Sequence, residues 1–247
     1  LSAAFILEEG LSLADLDRIC ASMAATAAEA GVAIVTGDTK VVEKGHGDGV
    51  YIATTGVGEA REGVRISGRA ARPGDAVLVT GTMGDHGITI LSHREGLSFG
   101  TDLSSDCAPL AHITGALIDA LGERVHVLRD PTRGGLATTL NEIAEQSGVG
   151  IGIDEALIPV RPTVQSACEF LGLDPLYIAN EGKLIVIVEG SAADEALRII
   201  RSLPRGEQAA RIGEVTAENP GEVRMRTLLG GHRRVDWLNS DPLPRIC

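Results

Sequence analysis

The run VHVLRDPTRGGLATTLNEIA, from Val125 to Ala144, reads as a buried strand, a tight turn and an amphipathic helix. Val125 to Leu128 is a short apolar segment that delivers Asp130-Pro131-Thr132-Arg133-Gly134-Gly135. Leu136, Leu140, Ile143 and Ala144 then share one helical face, and Gly148 marks its end. A strand feeding a helix in this way places the chain in the α/β or α+β class. The two glycines let backbone approach a ligand closely, the helix N-terminus attracts anions, and Arg133 can hold a phosphate through two N–H groups. The same residues also serve simple helix entry, with Pro131 or Thr132 in the first turn. No GxxxxGK[ST] loop occurs anywhere in the chain.

Outward from this unit, helices and strands follow one another without internal repeats. Upstream, Leu1 to Leu7 is expected as a strand, and Ser12 as the cap of a helix carrying Leu16, Ile19, Met23 and Ala27, with Asp15 completing a capping box. Val32 to Val35 is expected as a buried strand and Thr36 to Lys40 as the turn after it. Gly45 to Gly49 reads as a loop and Val50 to Val57 as a strand. A charged stretch from Gly58 to Pro73 is taken as the junction between two domains, 1–60 and 61–235. In the second domain, strands are expected over Ala76–Thr80, Leu184–Glu189 and Ala210–Val215. Helices are expected near Gly87–Leu91, Leu110–Leu121, Pro162–Leu171 and Ala192–Ser202. From Asp236 the chain loses periodicity and gains Pro242 and Pro244, so residues 236–247 are expected as a flexible tail ending in Cys247.

Composition narrows the function. Hydrophobic residues make up 44 % of the 247 and aromatics only 2 %, so the core is aliphatic. The net charge of −12 lacks a basic stripe, which argues against nucleic acid. The longest purely aliphatic run, Leu184 to Val188, is too short to cross a membrane. The opening LSAAFILEEG has no basic region of a secretion signal. The four cysteines, Cys20, Cys107, Cys168 and Cys247, form no CxxC pair, so zinc is not expected and reduced thiols in a cytoplasm are. Cys20 and Cys168 lie on expected helices and read as small core residues. His46 and Asp48 sit in a glycine-rich loop, and His86, His93, His112 and His126 form no ligand spacing.

Three further places can carry chemistry. Gly37-Asp38-Thr39-Lys40 follows a presumed strand end, where a carboxylate can hold magnesium and an ammonium can meet phosphate; it also reads as a polar turn. Asn180-Glu181-Gly182-Lys183 precedes the apolar run at Leu184. A carboxylate there, raised in pKa by desolvation, can act as a general base; the alternative is a turn with a surface Glu–Lys pair. The tail, twelve residues from Asp236, can extend on the order of 40 Å, and a terminal thiolate can carry a covalent group.

Together the segments VTGDTKVV, DPTRGGLATTLNEIA, IANEGKL and the terminal PRIC resemble the HypE family of hydrogenase maturation proteins. That family belongs to a superfamily of ATP-dependent enzymes with aminoimidazole ribonucleotide synthetase and selenophosphate synthetase. The resemblance runs along the whole chain and implies a two-domain, synthetase-like architecture with a C-terminal α/β sandwich. It implies that Cys247 receives a carbamoyl group from the partner HypF, and that ATP drives dehydration of the thiocarboxamide to a thiocyanate. The cyano group then passes to iron on a HypC–HypD complex. It implies catalytic roles for Cys247, Glu181 and Lys40. Nucleotide contacts fall to Asp38, Thr39, Asp130, Thr132, Arg133, Gly134, Gly135 and Asn180, with Asp38 at Mg²⁺. Family members form homodimers and carry a longer N-terminal section bearing part of the ATP site. The expectation is therefore an incomplete first domain and weak ATP binding by this chain alone. Another synthetase of the superfamily, or a docking module without activity, is the alternative; the terminal thiol argues against the former.

Overall fold

In the computed structural model, which describes residues 1–97 and 103–238, the chain divides into one unit over Leu1–Glu62 and a second that begins at Gly63. The first unit holds β1 (Ser2–Glu8), α1 (Leu13–Glu29), β2 (Thr36–Val42) and β3 (Val50–Thr55). Its sheet has the order β2-β1-β3, with β1 parallel to β2 and antiparallel to β3. The β1-α1-β2 crossover is the short-range unit that parallel pairing demands.

Four expectations are corrected in this unit. Val32 to Val35 is not a buried strand: it is exposed and irregular, and the strand begins at Thr36. The ladder decides this, because β1 opens opposite β2 at Ser2↔Thr36. The GDTK segment is thus strand rather than turn. Ser12 does stand at the helix N-cap, but its side chain makes no capping bond. Asp15 instead pairs with Arg18 at 2.9 Å. Cys20 is exposed, not core, because α1 buries none of its residues.

The second unit is built on a seven-stranded sheet of order β10-β9-β6-β8-β4-β7-β5. Its strands are β4 (Ala76–Val79), β5 (Val125–Arg129), β6 (Gly150–Asp154), β7 (Ile185–Val188), β8 (Ala210–Thr216), β9 (Val223–Arg226) and β10 (His232–Val235). Neighbours are antiparallel except β6 and β9. The unbroken apolar runs of β4 and β7 are the mark of strands covered on both faces. Leu78, Val186 and Val188 pack with Ile113 and Leu117 of α3 (Ala111–Leu121) and Ile200 of α6 (Ala193–Arg201). Val77, Val79, Ile185 and Ile187 turn the other way, onto Leu136, Leu140 and Ile143 of α4 (Gly135–Ser147). A separate cluster joins Ile88 and Leu91 of α2 (Asp85–Glu95) to Val164, Ala167 and Cys168 of α5 (Pro162–Leu171). The α/β fold in two parts matches the sequence reading. β6, β9 and β10 were not foreseen, because glycine and arginine interrupt their apolar patterns.

Candidate active site

β7 runs antiparallel to both β4 and β5. The start of β7 therefore lies at the same edge of the sheet as the ends of β4 and β5. Three loops meet there: Thr80–Gly84, Asp130–Gly135 and Asn180–Lys183. Asn180 ties them. It is fully buried; its Oδ1 accepts from the Gly84 N–H at 2.7 Å, and its Nδ2 donates to the carbonyls of Pro131 at 3.1 Å and Ile178 at 2.9 Å. Both of its amide N–H groups are spent on the chain itself, so its side chain fastens the three loops.

The tie presents Glu181 half-buried at the sheet edge. Its backbone N–H donates to Asp106 Oδ1 at 3.1 Å, and the other Asp106 oxygen meets Lys183 Nζ at 3.1 Å. Lys183 is buried and also lies 4.0 Å from Asp85. The expected alternative of a surface Glu–Lys pair does not form: Lys183 turns inward to neutralise two aspartates. Gly182 is required here, since a Cβ would stand 1.7 Å from the Asp106 carbonyl oxygen. Asp85 accepts from Thr82 Oγ1 and lies 3.3 Å from Arg161 Nε. Burial pushes its carboxyl pKa up, opposed by Thr82, Arg161 and Lys183.

Glu181 is likewise raised above the ordinary carboxylate value. Burial is the main cause; the negative charges of Asp106 and Asp130 add to it, and His86 opposes it. Its Oε1 is buried and has no hydrogen-bond partner among the described residues. A carboxylate in this setting binds a proton more readily than one in water and holds it away from solvent.

His86, on the first turn of α2, is buried, with Nδ1 2.8 Å from Ser105 Oγ and Nε2 without a partner among the described residues. Cys107 Sγ lies 3.8 Å from the same Nδ1. The sequence reading missed Asp85, His86, Ser105, Asp106 and Cys107. A signal was present for the first two: polar residues between glycines, directly after a buried strand, as in the loops that were recognised.

The Asp130 loop is more closely fitted to its own chain than its motif suggested. Thr132 Oγ1 donates to Asp130 Oδ2. Gly134 and Gly135 have φ of +67° and +60°. A Cβ on Gly135 would meet the carbonyl oxygens of Leu176 at 2.5 Å and Ile178 at 2.6 Å. This close backbone approach is to the segment leading into Asn180. Arg133 is exposed and carries no ion pair among the described residues, at the mouth of α4. It remains available to an anion.

In the first unit, the ladder puts Asp38 and Lys40 on one face of β2 with Ala4 and Ile6 of β1, while Thr39 points to the other with Phe5. Gly37, just before Asp38, is needed because a Cβ would stand 2.2 Å from the Ala3 carbonyl oxygen. Asp38 and Lys40 are exposed. Asp38 Oδ1 accepts from the Thr39 N–H at 2.8 Å, and Oδ2 has no hydrogen bond among the described residues. The Gly45–Gly49 loop is held by Glu8, which accepts from the N–H groups of Gly45 at 2.6 Å and Gly49 at 3.0 Å. No group of three His, Cys, Asp or Glu among the described residues could hold a metal. Cys247 lies outside the described residues, and no described helix is long and apolar enough to cross a membrane.

Comparison with known proteins gives the family. Residues 1–60 match the N-terminal domain, and residues 72–226 the C-terminal domain, of the AIR synthase related proteins. The carbamoyl dehydratase HypE of Cupriavidus necator is 60 % identical over 247 residues, all of this chain and 70 % of that protein. A crystal structure of the hydrogenase maturation protein HypE in complex with ATP superimposes with a TM-score of 0.96 at 54 % identity, covering 100 % of this chain and 74 % of that one. HypE in a crystal structure of a HypE–HypF complex gives 0.93 at 50 % identity, over 96 % and 77 %. The chain belongs to the HypE family of carbamoyl dehydratases in hydrogenase maturation.

Proposed function

We propose that the chain carries a carbamoyl group on Cys247 and that Glu181 is the base that dehydrates it to a thiocyanate at the expense of ATP. The observation that carries this reading is the Glu181 carboxylate: raised in pKa, unpartnered at Oε1, and held at the sheet edge by Asn180 and Asp106. An amide oxygen is a poor leaving group until ATP phosphorylates it. Loss of phosphate then needs the nitrogen to give up its hydrogens, which is work for a carboxylate shielded from water.

Lys40 supplies positive charge against the negative charge that develops on the departing oxygen. Asp38, with Oδ2 free of hydrogen bonds among the described residues, fits Mg²⁺ bound mainly by nucleotide phosphates and water, as that ion is commonly held. Asp130, Thr132 and Arg133 serve the phosphates at the mouth of α4. The ATP-bound and HypF-bound relatives support the nucleotide and HypF as the carbamoyl donor. A HypC–HypD complex takes the cyano group for iron of a [NiFe] hydrogenase. The protein works as a homodimer in a reducing cytoplasm.

The test is mass spectrometry of the protein after incubation with HypF, carbamoyl phosphate and ATP. A carbamoyl adduct on Cys247 is expected first, followed by loss of one water mass. In Glu181→Gln the adduct is expected to persist. Full water loss in that variant would remove Glu181 as the base. A permanent adduct on the unsubstituted protein would point to a docking module instead.

A further inference from the structure

A groove of about 650 Å³ opens on the second unit, between the turn joining β9 to β10 and the segment that leads from α5 to Tyr177. Its size is that of a ligand-binding cleft. Ile158, Leu176, Met225 and Leu228 make it apolar, and Leu228 is 70 % exposed. Glu155 and Glu169 also line it. Glu155 accepts from the Leu228 N–H at 2.9 Å and Glu169 from the Gln165 amide at 2.9 Å, and neither meets a cation among the described residues. Asp174, by contrast, is neutralised by Arg233 at 2.7 Å. The groove contains none of the residues assigned to the reaction.

The described chain ends beside this groove. Tyr177 Oη donates to the Asp236 carbonyl at 2.9 Å. Pro175 and Leu176, just before Tyr177, line the groove, as does Arg233 on the strand that leads to Asp236. Nine residues, Asn239 to Cys247, follow the last described one. Extended, nine residues reach about 30 Å, ample for a groove that begins next to their anchor. Asn239-Ser240-Asp241-Pro242 is a turn-favouring sequence, which a return onto the groove requires. Leu243, Pro244 and Ile246 then bring apolar groups to an apolar cleft, and Arg245 brings a cation to a wall with spare negative charge. Tethered at Asp236, the segment has an effective concentration on the order of millimolar, so weak contacts suffice to hold it.

We propose that this groove is a resting station for the chain's own C-terminal segment, with Leu243 and Ile246 on its apolar surface and Arg245 against Glu169. The segment then has two destinations: this groove while its thiol carries nothing, and the sheet-edge site once it carries a group. Loading of Cys247 requires release from the groove, so the station sets how often the thiol is offered. The apolar contacts hold the segment, and the exposed ion pair fixes its direction more than its strength. The station does not depend on the role proposed for Glu181.

The experiment uses the full chain as the gene encodes it, with the photo-crosslinker p-benzoylphenylalanine at the position of Leu243. It is irradiated without ATP or carbamoyl phosphate, and the joined peptides are mapped by mass spectrometry. Crosslinks are expected within one chain, to residues 155–176 and 225–233. Glu169→Lys, a change at an exposed position, should lower their yield about two- to fivefold, the range of an exposed ion pair. Arg245→Glu added to it should recover part of the loss, and Leu228→Asp, also exposed, should lower the yield by itself. Crosslinks confined to other surfaces or to a second copy, or a yield unchanged in both groove variants, overturn the station. In loading by HypF and carbamoyl phosphate, the same two variants should form the Cys247 adduct faster, because release comes first. Slower loading with unchanged crosslinks would mark the groove as a surface for HypF and likewise overturn the proposal. The crosslinking involves neither ATP nor dehydration, so its failure would leave the Glu181 reading standing, and failure of that reading would leave the station standing.

Discussion

Replacing Asn180 by alanine should unfasten the site. The side chain makes three hydrogen bonds, to Gly84 N at 2.7 Å, Pro131 O at 3.1 Å and Ile178 O at 2.9 Å. Truncation does not orphan all three partners. The Pro131 carbonyl keeps the backbone N–H of Asn180 at 3.2 Å. The Gly84 N–H and the Ile178 carbonyl lose their partner in an interior where Asn180 itself has no exposed surface. At about 1–3 kcal/mol for each unsatisfied buried group, the loss is about 2–6 kcal/mol. That is a large share of the roughly 5–15 kcal/mol that holds a domain folded. The assay is guanidinium unfolding followed by Trp237, the single tryptophan, which belongs to the second unit. The midpoint should fall with an unchanged slope. Asn180→Asp is expected to be no better: it still accepts from Gly84 but sets a carboxylate against the Pro131 and Ile178 carbonyls. A loss below about 0.5 kcal/mol in the alanine variant, the level of an ordinary surface change, would refute the accounting.

Gly135→Ala should destabilise by more than the roughly 1–2 kcal/mol of a left-handed non-glycine residue, since its Cβ meets backbone oxygens that cannot swing aside; a melting curve like the parent's would contradict this. Lys183→Met leaves Asp85 and Asp106 without their buried cation and should cost about 3–5 kcal/mol, read by the same denaturation. Glu181→Gln should stabilise while it inactivates. The raised pKa means the folded state binds the proton more tightly, so below the unfolded value the carboxyl is neutral in both states and costs nothing. As pH rises through the folded value, the native protein must bury a charge and loses stability. The gain in Glu181→Gln should thus appear at neutral pH and vanish in acid; an equal gain at both would be inconsistent. Among the described thiols, Cys20 and Cys107 should react quickly with a thiol reagent. Cys168 should not, because it is buried with a pKa pushed up to about 11. Rapid labelling of Cys168 in the folded protein would contradict its place beneath α2.

Much of the second unit was legible because its strands are buried on both faces. β4 and β7 are continuous apolar runs between loops, and a run of that kind has few other places to go. α4 was legible for the complementary reason: its apolar residues keep a helical period between Gly134 and Gly148. β6 was not, because Gly150 and Gly152 dilute its pattern. Gly152 nevertheless takes its place between β8 and β9 through backbone pairing alone. In the first unit the Val32–Val35 run misled, since hydrophobicity chooses a strand only when something covers it, and here it stays exposed.

The candidate site divides along the same line. Asn180, Glu181 and the Asp130 loop could be picked out because polar residues between glycines at the edge of an apolar strand are legible one loop at a time. By itself, the order of residues also determined the family and the cysteine at the chain's end. It could not say which loops meet. That Asp106 holds Glu181 and Lys183, that His86 meets Ser105, and that Gly135 is glycine for the sake of Leu176 were decided only when β7 lay antiparallel between β4 and β5. The reason is physical. Local pattern reports what each segment needs to bury, whereas a pKa or an unpaired nitrogen depends on groups that only the folded chain brings within a few ångströms of one another.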